Sequence, residues 1–203
     1  LISTRILKAQ QRGAKIIVLD PRKNQVGHWA DIFYELQPGS DVAIFNSLMN
    51  VIIEEGLQDE VYIKERTENF DSLKTLVAEY PPEKVSSICG IPAEGLREIA
   101  RTYAKHKPAA IIYAMGITQH TTGTDNVKST ANLAMLCGNV GVPGGGVNPL
   151  RGQNNVQGAC DMGGLPNVYP AYQPVTTEEN KAKFEKAWGV SNLSTTPGLT
   201  LME

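Results

Sequence analysis

The densest group of side chains able to hold and orient a small anion lies in one stretch, Leu150-Arg151-Gly152-Gln153-Asn154-Asn155-Val156-Gln157-Gly158-Ala159-Cys160-Asp161-Met162-Gly163. An arginine beside a glycine can offer its planar guanidinium to a carboxylate through two parallel hydrogen bonds. The Gln and Asn amides that follow can bind a heteroaromatic ring system nearby. A purely structural loop rarely concentrates so much polarity, so a functional reading is favoured here.

Three further groups carry weaker signals. Asp20 closes the apolar run Ile16-Ile17-Val18-Leu19. A carboxylate at the carboxyl end of a sheet strand can accept two hydrogen bonds at once from ribose hydroxyls or a guanine edge. It can equally cap the turn that follows. Arg22 and Lys23 come next and could neutralise phosphate, although surface charge is the default for both. Gly39-Ser40-Asp41 sits where a helix begins and reads either as an N-cap alone or as an anion-favouring helix start. His28, His106 and His120 are isolated, and the sequence has no His-x-x-x-His or Cys-x-x-Cys pair. His28 and His106 read as surface residues; His120, beside Gln119, is expected to line a cleft, with no metal-ligand role because such sites need three or four clustered donors. The first strand is not followed by Gly-x-Gly-x-x-Gly, and no Gly-x-x-x-x-Gly-Lys-Ser/Thr exists, which removes the main support for simple NAD binding or ATP hydrolysis.

These residues need elements to position them. Ile2, Ile6 and Leu7 recur at helical spacing and Gly13 ends that helix. Lys15 to Asp20 and Ile32 to Leu36 read as strands, the first buried and parallel. After Ser40, the residues Val42, Ile44, Phe45, Leu48, Met49, Ile52 and Ile53 form the apolar face of a long helix that Gly56 ends. Residues 59 to 107 look helical, with breaks at Pro81-Pro82 and Gly90-Ile91-Pro92 and an apolar stripe at Leu96, Ile99, Ala100 and Tyr103. Ala109 to Ala114 reads as another buried strand, Met115-Gly116 as a turn, and about Thr124 to Cys137 as a helix. Nine of the nineteen glycines then fall between Gly138 and Gly164, a segment expected to be irregular. A charged helix comes next, around Glu178 to Trp188, and the end at Met202-Glu203 reads as extended.

The alternation predicts an α/β fold, a three-layer αβα Rossmann-like parallel sheet with helices on both faces, followed by the Gly-rich loop segment. Residues 1–150 form the α/β domain and 151–203 the active-site loop and C-terminal segment. Ligands of such sheets bind beyond the carboxyl ends of the strands, where Asp20 and Met115-Gly116 both fall. With 203 residues, 41% of them hydrophobic, the chain is long enough for a core, and a formal charge of -2 supplies no basic field for nucleic acid or an anionic membrane. No apolar run approaches the ~20 residues of a membrane helix. Cys89, Cys137 and Cys160 fit neither a disulfide framework nor a zinc site and read as small buried thiols. The opening Leu-Ile-Ser-Thr-Arg, which already looks like mid-helix, suggests a piece of a longer chain.

Three blocks, in order, resemble the molybdenum and tungsten bis-pyranopterin guanine dinucleotide oxidoreductases, most closely formate dehydrogenase catalytic subunits. They are Val-Leu-Asp-Pro-Arg with Pro-Gly-Ser-Asp, then Met-Gly-Ile-Thr-Gln-His, then Arg-Gly-Gln-Asn-Asn-Val-Gln-Gly-Ala-Cys-Asp-Met-Gly. The third block is the one specific to the formate dehydrogenase branch. The resemblance implies that Asp20, Pro21, Arg22 and Lys23, with Gly39, Ser40 and Asp41, contact the guanine nucleotide end of one cofactor. It implies that Met115, Gly116 and Gln119 touch the cofactor nearer its pterin, and that Arg151 holds the formate carboxylate beside the metal while Gly152 and Gln153 contact the cofactor. None of these residues is implied to ligate the metal.

The activity implied by the resemblance is oxidation of formate to CO2 at a Mo or W centre, with electrons passed to a 4Fe-4S cluster. The cysteines of that cluster, and the Cys or selenocysteine ligand of the metal, belong upstream of this sequence in the family. The expected partners are formate, iron-sulfur electron-transfer subunits and the remaining domains of the same polypeptide, with no nucleic acid and no membrane contact, in the cytoplasm. The 203 residues alone are expected to be inactive. Two alternatives stand beside this reading: a cofactor-free scaffold such as the large iron-sulfur subunit of NADH dehydrogenase, and a nitrate reductase-type relative. Retention of the whole arginine loop disfavours both.

Overall fold

The computed structural model describes residues 2–200, so the extended end expected at Met202-Glu203 lies outside the described residues. The chain forms two compact units, one through Pro149 and one from Leu150.

The first unit opens with α1 (Ile2–Gln10), after which Gly13, at φ +98°, turns the chain into β1 (Ile17–Leu19). Then come β2 (Ile32–Tyr34), α2 (Asp41–Glu54), α3 (Glu60–Arg66), α4 (Phe70–Val77), α5 (Pro82–Cys89) and α6 (Ala93–Lys105). It ends with β3 (Ala110–Tyr113), the single turn α7 (Met115–Thr118), α8 (Gly123–Leu136) and β4 (Gly146–Pro149). The helical breaks at Pro81-Pro82 and Gly90-Ile91-Pro92 are where the sequence puts them. A third break, between α3 and α4, carried no such signal; Asn69 makes it by adopting a left-handed φ of 60°.

The α/β architecture stands, and its parallel pairing is local. β1 pairs with β2, with Ile17 opposite Ile32, and β3 pairs with β4, with Ala110 opposite Gly146, as two separate two-stranded sheets. The strands are shorter than expected. Ile17, Leu19, Ile32, Tyr34 and Ile111 pack on the helical core, while Ile112 is 45% exposed, so β3 is buried on one face rather than on both.

α2 is the centre of that core. Ile44, Leu48, Met49 and Ile52 recur at i, i+4 and i+3 and are sealed by Val77 of α4, Val85 and Cys89 of α5, Leu96 and Ile99 of α6 and Leu133 of α8. Each large side chain buried there contributes about 1.5–3 kcal/mol of transfer free energy. Cys89 and Cys137 are buried as expected while Cys160 is only partly buried, and burial pushes the Cys137 thiol up to about 11, so it stays protonated and unreactive at neutral pH.

The second unit contains α9 (Val156–Asp161), β5 (Val168–Tyr169), a short 3-10 turn (Pro170–Tyr172), β6 (Gln173–Pro174) and α10 (Glu178–Trp188). β5 and β6 are antiparallel. Tyr169, Val175 and Phe184 form its small core; the Tyr169 and Phe184 rings lie 4.7 Å apart and Phe184 and Trp188 5.0 Å apart.

The segment Gly138 to Gly164 is therefore more ordered than its glycine content implied. β4 forms because sheet pairing uses backbone groups that glycine supplies as well as any residue, and α9 forms because Asn155, at φ 51°, turns the chain into it.

Candidate functional site

In the first unit the named residues all follow strand ends. Because β1 and β2 run parallel, Asp20 and the Pro38-Gly39-Ser40 turn leave the same edge of the pair. Asp20 Oδ1 accepts from the Arg22 backbone N–H at 2.8 Å and Oδ2 accepts from Asn24 Nδ2 at 2.9 Å. Asn24 Oδ1 in turn accepts from the Gly27 N–H at 3.0 Å. The capping reading of Asp20 is thus correct. It leaves the ligand reading intact, because an ionised carboxylate has about four acceptor positions and two are used. The loop holds the carboxylate still while Pro21, Arg22 and Lys23 remain exposed around it. Lys23 lies over the Phe33 ring, its Nζ 5.4 Å from the ring centre.

Ser40 occupies the N-cap position of α2 without capping it. Its hydroxyl donates backward to Gln37 O at 2.6 Å, fixing the turn that brings Gly39, at φ +86°, to the surface. Asp41 is only 7% exposed, and burial pushes its carboxyl above the ordinary aspartate value of 3.8; its own backbone N–H and the nearby His120 oppose this. A raised folded value means the proton is held more tightly in the folded chain. The contribution of this group to stability is then fully present below pH 3.8 and is lost as the pH rises through the raised value. Asp41→Asn is accordingly expected to raise the melting temperature at pH 7, a gain that vanishes below pH 3.8. Circular dichroism melts of both chains across that range check this; an equal or lower melting temperature for the variant at pH 7 contradicts it.

Beyond β3 the expected turn is a full helical turn, α7, braced from three directions. The Gln119 N–H donates to Met115 O at 2.9 Å, His120 Nε2–H donates to Gly116 O at 2.9 Å, and Asn126 Nδ2 donates to Ile117 O at 2.9 Å. Asn126 is 1% exposed, and its Oδ1 has no hydrogen-bond partner in the structure. α8 can start this close only because residue 123 is glycine: a Cβ there would overlap the Thr118 carbonyl oxygen. The bracing leaves Met115 61% exposed and Gly116 and Gln119 on the surface, with open space where a Gly116 side chain would be. His120 is partly buried. Among the described residues no group of three or more His, Cys, Asp or Glu could hold a metal.

In the second unit Arg151, Gly152 and Gln153 are exposed. Arg151 Nη2 donates to Gln157 Oε1 at 2.8 Å; Gln157 Nε2 donates to Asp161 Oδ1 at 3.1 Å and to the Tyr172 hydroxyl at 3.2 Å. Burial first, then the neighbouring Asp161 and Cys160, hold the Tyr172 phenol above its ordinary value, so it is protonated at neutral pH. Gly163, at φ +85°, packs against the Pro170 nitrogen and lets the chain return close to α9, which brings Tyr172 back to Gln157.

Sequence reasoning missed Asn24, Asn126, Gln157 as an arginine partner, and Tyr172. Asn126 had a readable signal, a polar residue on the same helical face as Thr130 and Leu133. Tyr172 had none, since its approach depends on a return of the chain that spacing does not encode.

The first unit thus offers a braced strand-end carboxylate and an open glycine-bearing loop, and the second, by itself, an arginine held by Gln157. The chain belongs to the molybdopterin oxidoreductase family, whose pattern it matches over residues 1–202, and the acceptor, cation and open-backbone set of the first unit suits that family's cofactor.

It is 51% identical over 203 residues to the F420-dependent formate dehydrogenase subunit alpha of Methanocaldococcus jannaschii. It is 47% identical over 203 residues to formate dehydrogenase H of Escherichia coli. The chain spans 30% of the first of these and 28% of the second. Among solved structures it resembles acetylene hydratase from Pelobacter acetylenicus, with a TM-score of 0.65 and 34% identity over 67% of this chain and 19% of that one.

Proposed function

We propose that the chain is part of the catalytic subunit of a formate dehydrogenase, which oxidises formate to CO2 at a Mo or W bis-pyranopterin guanine dinucleotide centre. The electrons then leave through a 4Fe-4S cluster in another part of the full-length protein toward iron-sulfur partner subunits. The observation that carries the reading is the Arg151 loop, retained whole and with the guanidinium held through one nitrogen by Gln157.

A guanidinium has five N–H donors in a fixed fork, so fixing Nη2 on Gln157 leaves donors for a substrate carboxylate. Held that way, formate is oriented with its C–H pointing away from the guanidinium. Asp20, with two acceptor positions free, accepts from the guanine or ribose of the cofactor's nucleotide. Arg22 and Lys23 supply positive charge for its phosphates, and Gly39 completes that end, with Ser40 and Asp41, both buried, shaping the turn behind it. Gly116, with no side chain, and Met115 and Gln119 line the approach nearer the pterin, and Gly152 and Gln153 contact the cofactor. When bound, the metal-pterin group supplies the two-electron acceptor.

Metal and pterin analysis of the purified full-length protein tests the reading against the cofactor-free scaffold. Stoichiometric Mo or W with a guanine-bearing pterin is expected; absence of both metals and of pterin overturns it. The nucleotide pocket has its own test in the chain as it stands. Guanosine diphosphate is expected to bind with a Kd in the millimolar range or tighter by calorimetry, and Asp20→Ala to weaken it about tenfold, the effect of losing one hydrogen-bonded carboxylate. Binding that Asp20→Ala leaves unchanged removes Asp20 from the pocket.

A further inference from the structure

The side chain that fixes Arg151 is itself fixed, at both ends of its amide. Gln157 gives its carbonyl oxygen to the guanidinium at 2.8 Å and both amide hydrogens to acceptors, Asp161 Oδ1 at 3.1 Å and the Tyr172 oxygen at 3.2 Å. An amide whose two N–H groups are taken by acceptors has only one orientation, so its oxygen can point only at Arg151. Serving this arrangement is backbone that side chains rarely adopt: Asn155, which starts α9, has φ 51°, and Ala171 and Tyr172 have φ 60° and 56°. Two consecutive left-handed non-glycine residues cost free energy that a passive turn would avoid, and here they bring the Tyr172 hydroxyl back to Gln157.

We infer that Gln157 is a positioning residue that sets the orientation of the Arg151 guanidinium toward the substrate carboxylate, with Tyr172 and Asp161 locking the amide. The inference rests on the reading of Arg151 as the formate-holding group and adds to it the residues that determine its geometry. Without the Gln157 oxygen the arginine keeps its charge and loses its direction. The loss therefore falls on formate and not on the electron acceptor.

The test uses the full-length holoenzyme with Gln157→Met, which keeps the length and removes both polar atoms, and Gln157→Glu, which keeps the acceptor oxygen. Gln157→Met is expected to lower kcat/KM for formate about tenfold or more, chiefly through a higher formate KM, with the KM of a dye acceptor unchanged. Gln157→Glu, which keeps the acceptor for Arg151 but gives up both amide hydrogens and sets a like charge beside Asp161, and Tyr172→Phe, which gives up one, are each expected to fall between wild type and Gln157→Met, Tyr172→Phe nearer wild type. A second readout needs no turnover. In full-length protein prepared without its metal, the rate at which phenylglyoxal modifies Arg151, followed by mass spectrometry of the peptide, is expected to rise several-fold in Gln157→Met and by less in Gln157→Glu.

Wild-type formate kinetics and an unchanged modification rate in Gln157→Met would overturn the inference while leaving the formate dehydrogenase reading intact. Loss of metal and pterin from Gln157→Met, or an equal rise in the KM of the dye, would also overturn it, because either marks a merely structural role. Absence of formate turnover in the wild-type holoenzyme would overturn the function reading, and with it the role given to Gln157 in catalysis.

Discussion

Arg151→Lys in the full-length protein is expected to lower kcat/KM for formate by about 10²-fold, the cost of misplacing a substrate that had been held in its reactive geometry. Charge alone does not explain the arginine. Lysine keeps the charge and is nearly as long, but it replaces a planar fork with a compact, strongly hydrated ammonium. It cannot hold two carboxylate oxygens at once, and it has no second nitrogen to leave on Gln157 while another faces substrate. Formate is small enough that losing one of two bonds frees it to rotate, so orientation is lost together with affinity. Metal and pterin content should be unchanged. Steady-state kinetics with a dye acceptor measure the effect, and turnover within twofold of wild type would remove Arg151 from the mechanism.

The second large effect is on stability. Gly123→Ala places a Cβ inside the van der Waals surface of the Thr118 carbonyl oxygen, and that neighbour is backbone, unable to swing aside as a side-chain end would. Relief requires α7 and the start of α8 to separate, which strains the Asn126 bond to Ile117 O and the bond from the Gly123 N–H to His120 O. Overpacking of this kind costs about 1–3 kcal/mol, and with a rigid neighbour the upper end applies. For a chain of this size that is a fall of roughly 6–12 °C in melting temperature. Gly116→Ala is the control, because its Cβ would meet nothing within 4 Å and its melting temperature should change little. Equal melting temperatures for the two variants would contradict the packing derived for the α7–α8 junction. Since Met115, Gly116 and Gln119 depend on that junction, Gly123→Ala should also weaken cofactor retention in the full-length protein.

The features that could be read from the sequence obey a physical division. The apolar period of Ile44, Leu48, Met49 and Ile52 identifies α2, and Pro81-Pro82 and Gly90 identify the limits of α5, because helix burial and proline or glycine backbone preferences are local properties. The exposure of Ile112 was not readable, since four apolar residues in a row look the same whether one or both faces are covered. Neither was the order within Gly138 to Gly164. Glycine density argues against helix and strand by propensity, yet the pairing of β4 with β3 and the left-handed turn at Asn155 overrode it.

The site shows the same division. Asp20, Arg22 and Lys23 are found from their place after an apolar strand, and the mesh that holds Asp20 through Asn24 and Gly27 extends the local turn reading. The partners of Arg151 are another matter. Gln157 was visible as one polar residue among many, and only three-dimensional return of the chain through Gly163 and Tyr172 shows that it is the one that faces the guanidinium.

The most direct test of the central claim tracks carbon and electrons together. The purified full-length protein is supplied with carbon-13 formate and a dye acceptor, and labelled CO2 is measured by mass spectrometry against dye reduced. Oxidation of formate releases one CO2 for every two electrons, so labelled CO2 should appear with one molecule formed per two one-electron dye equivalents, and both should fall together in Arg151→Lys. A protein that contains its metal and pterin yet forms no labelled CO2 and reduces no dye with formate would contradict the claim.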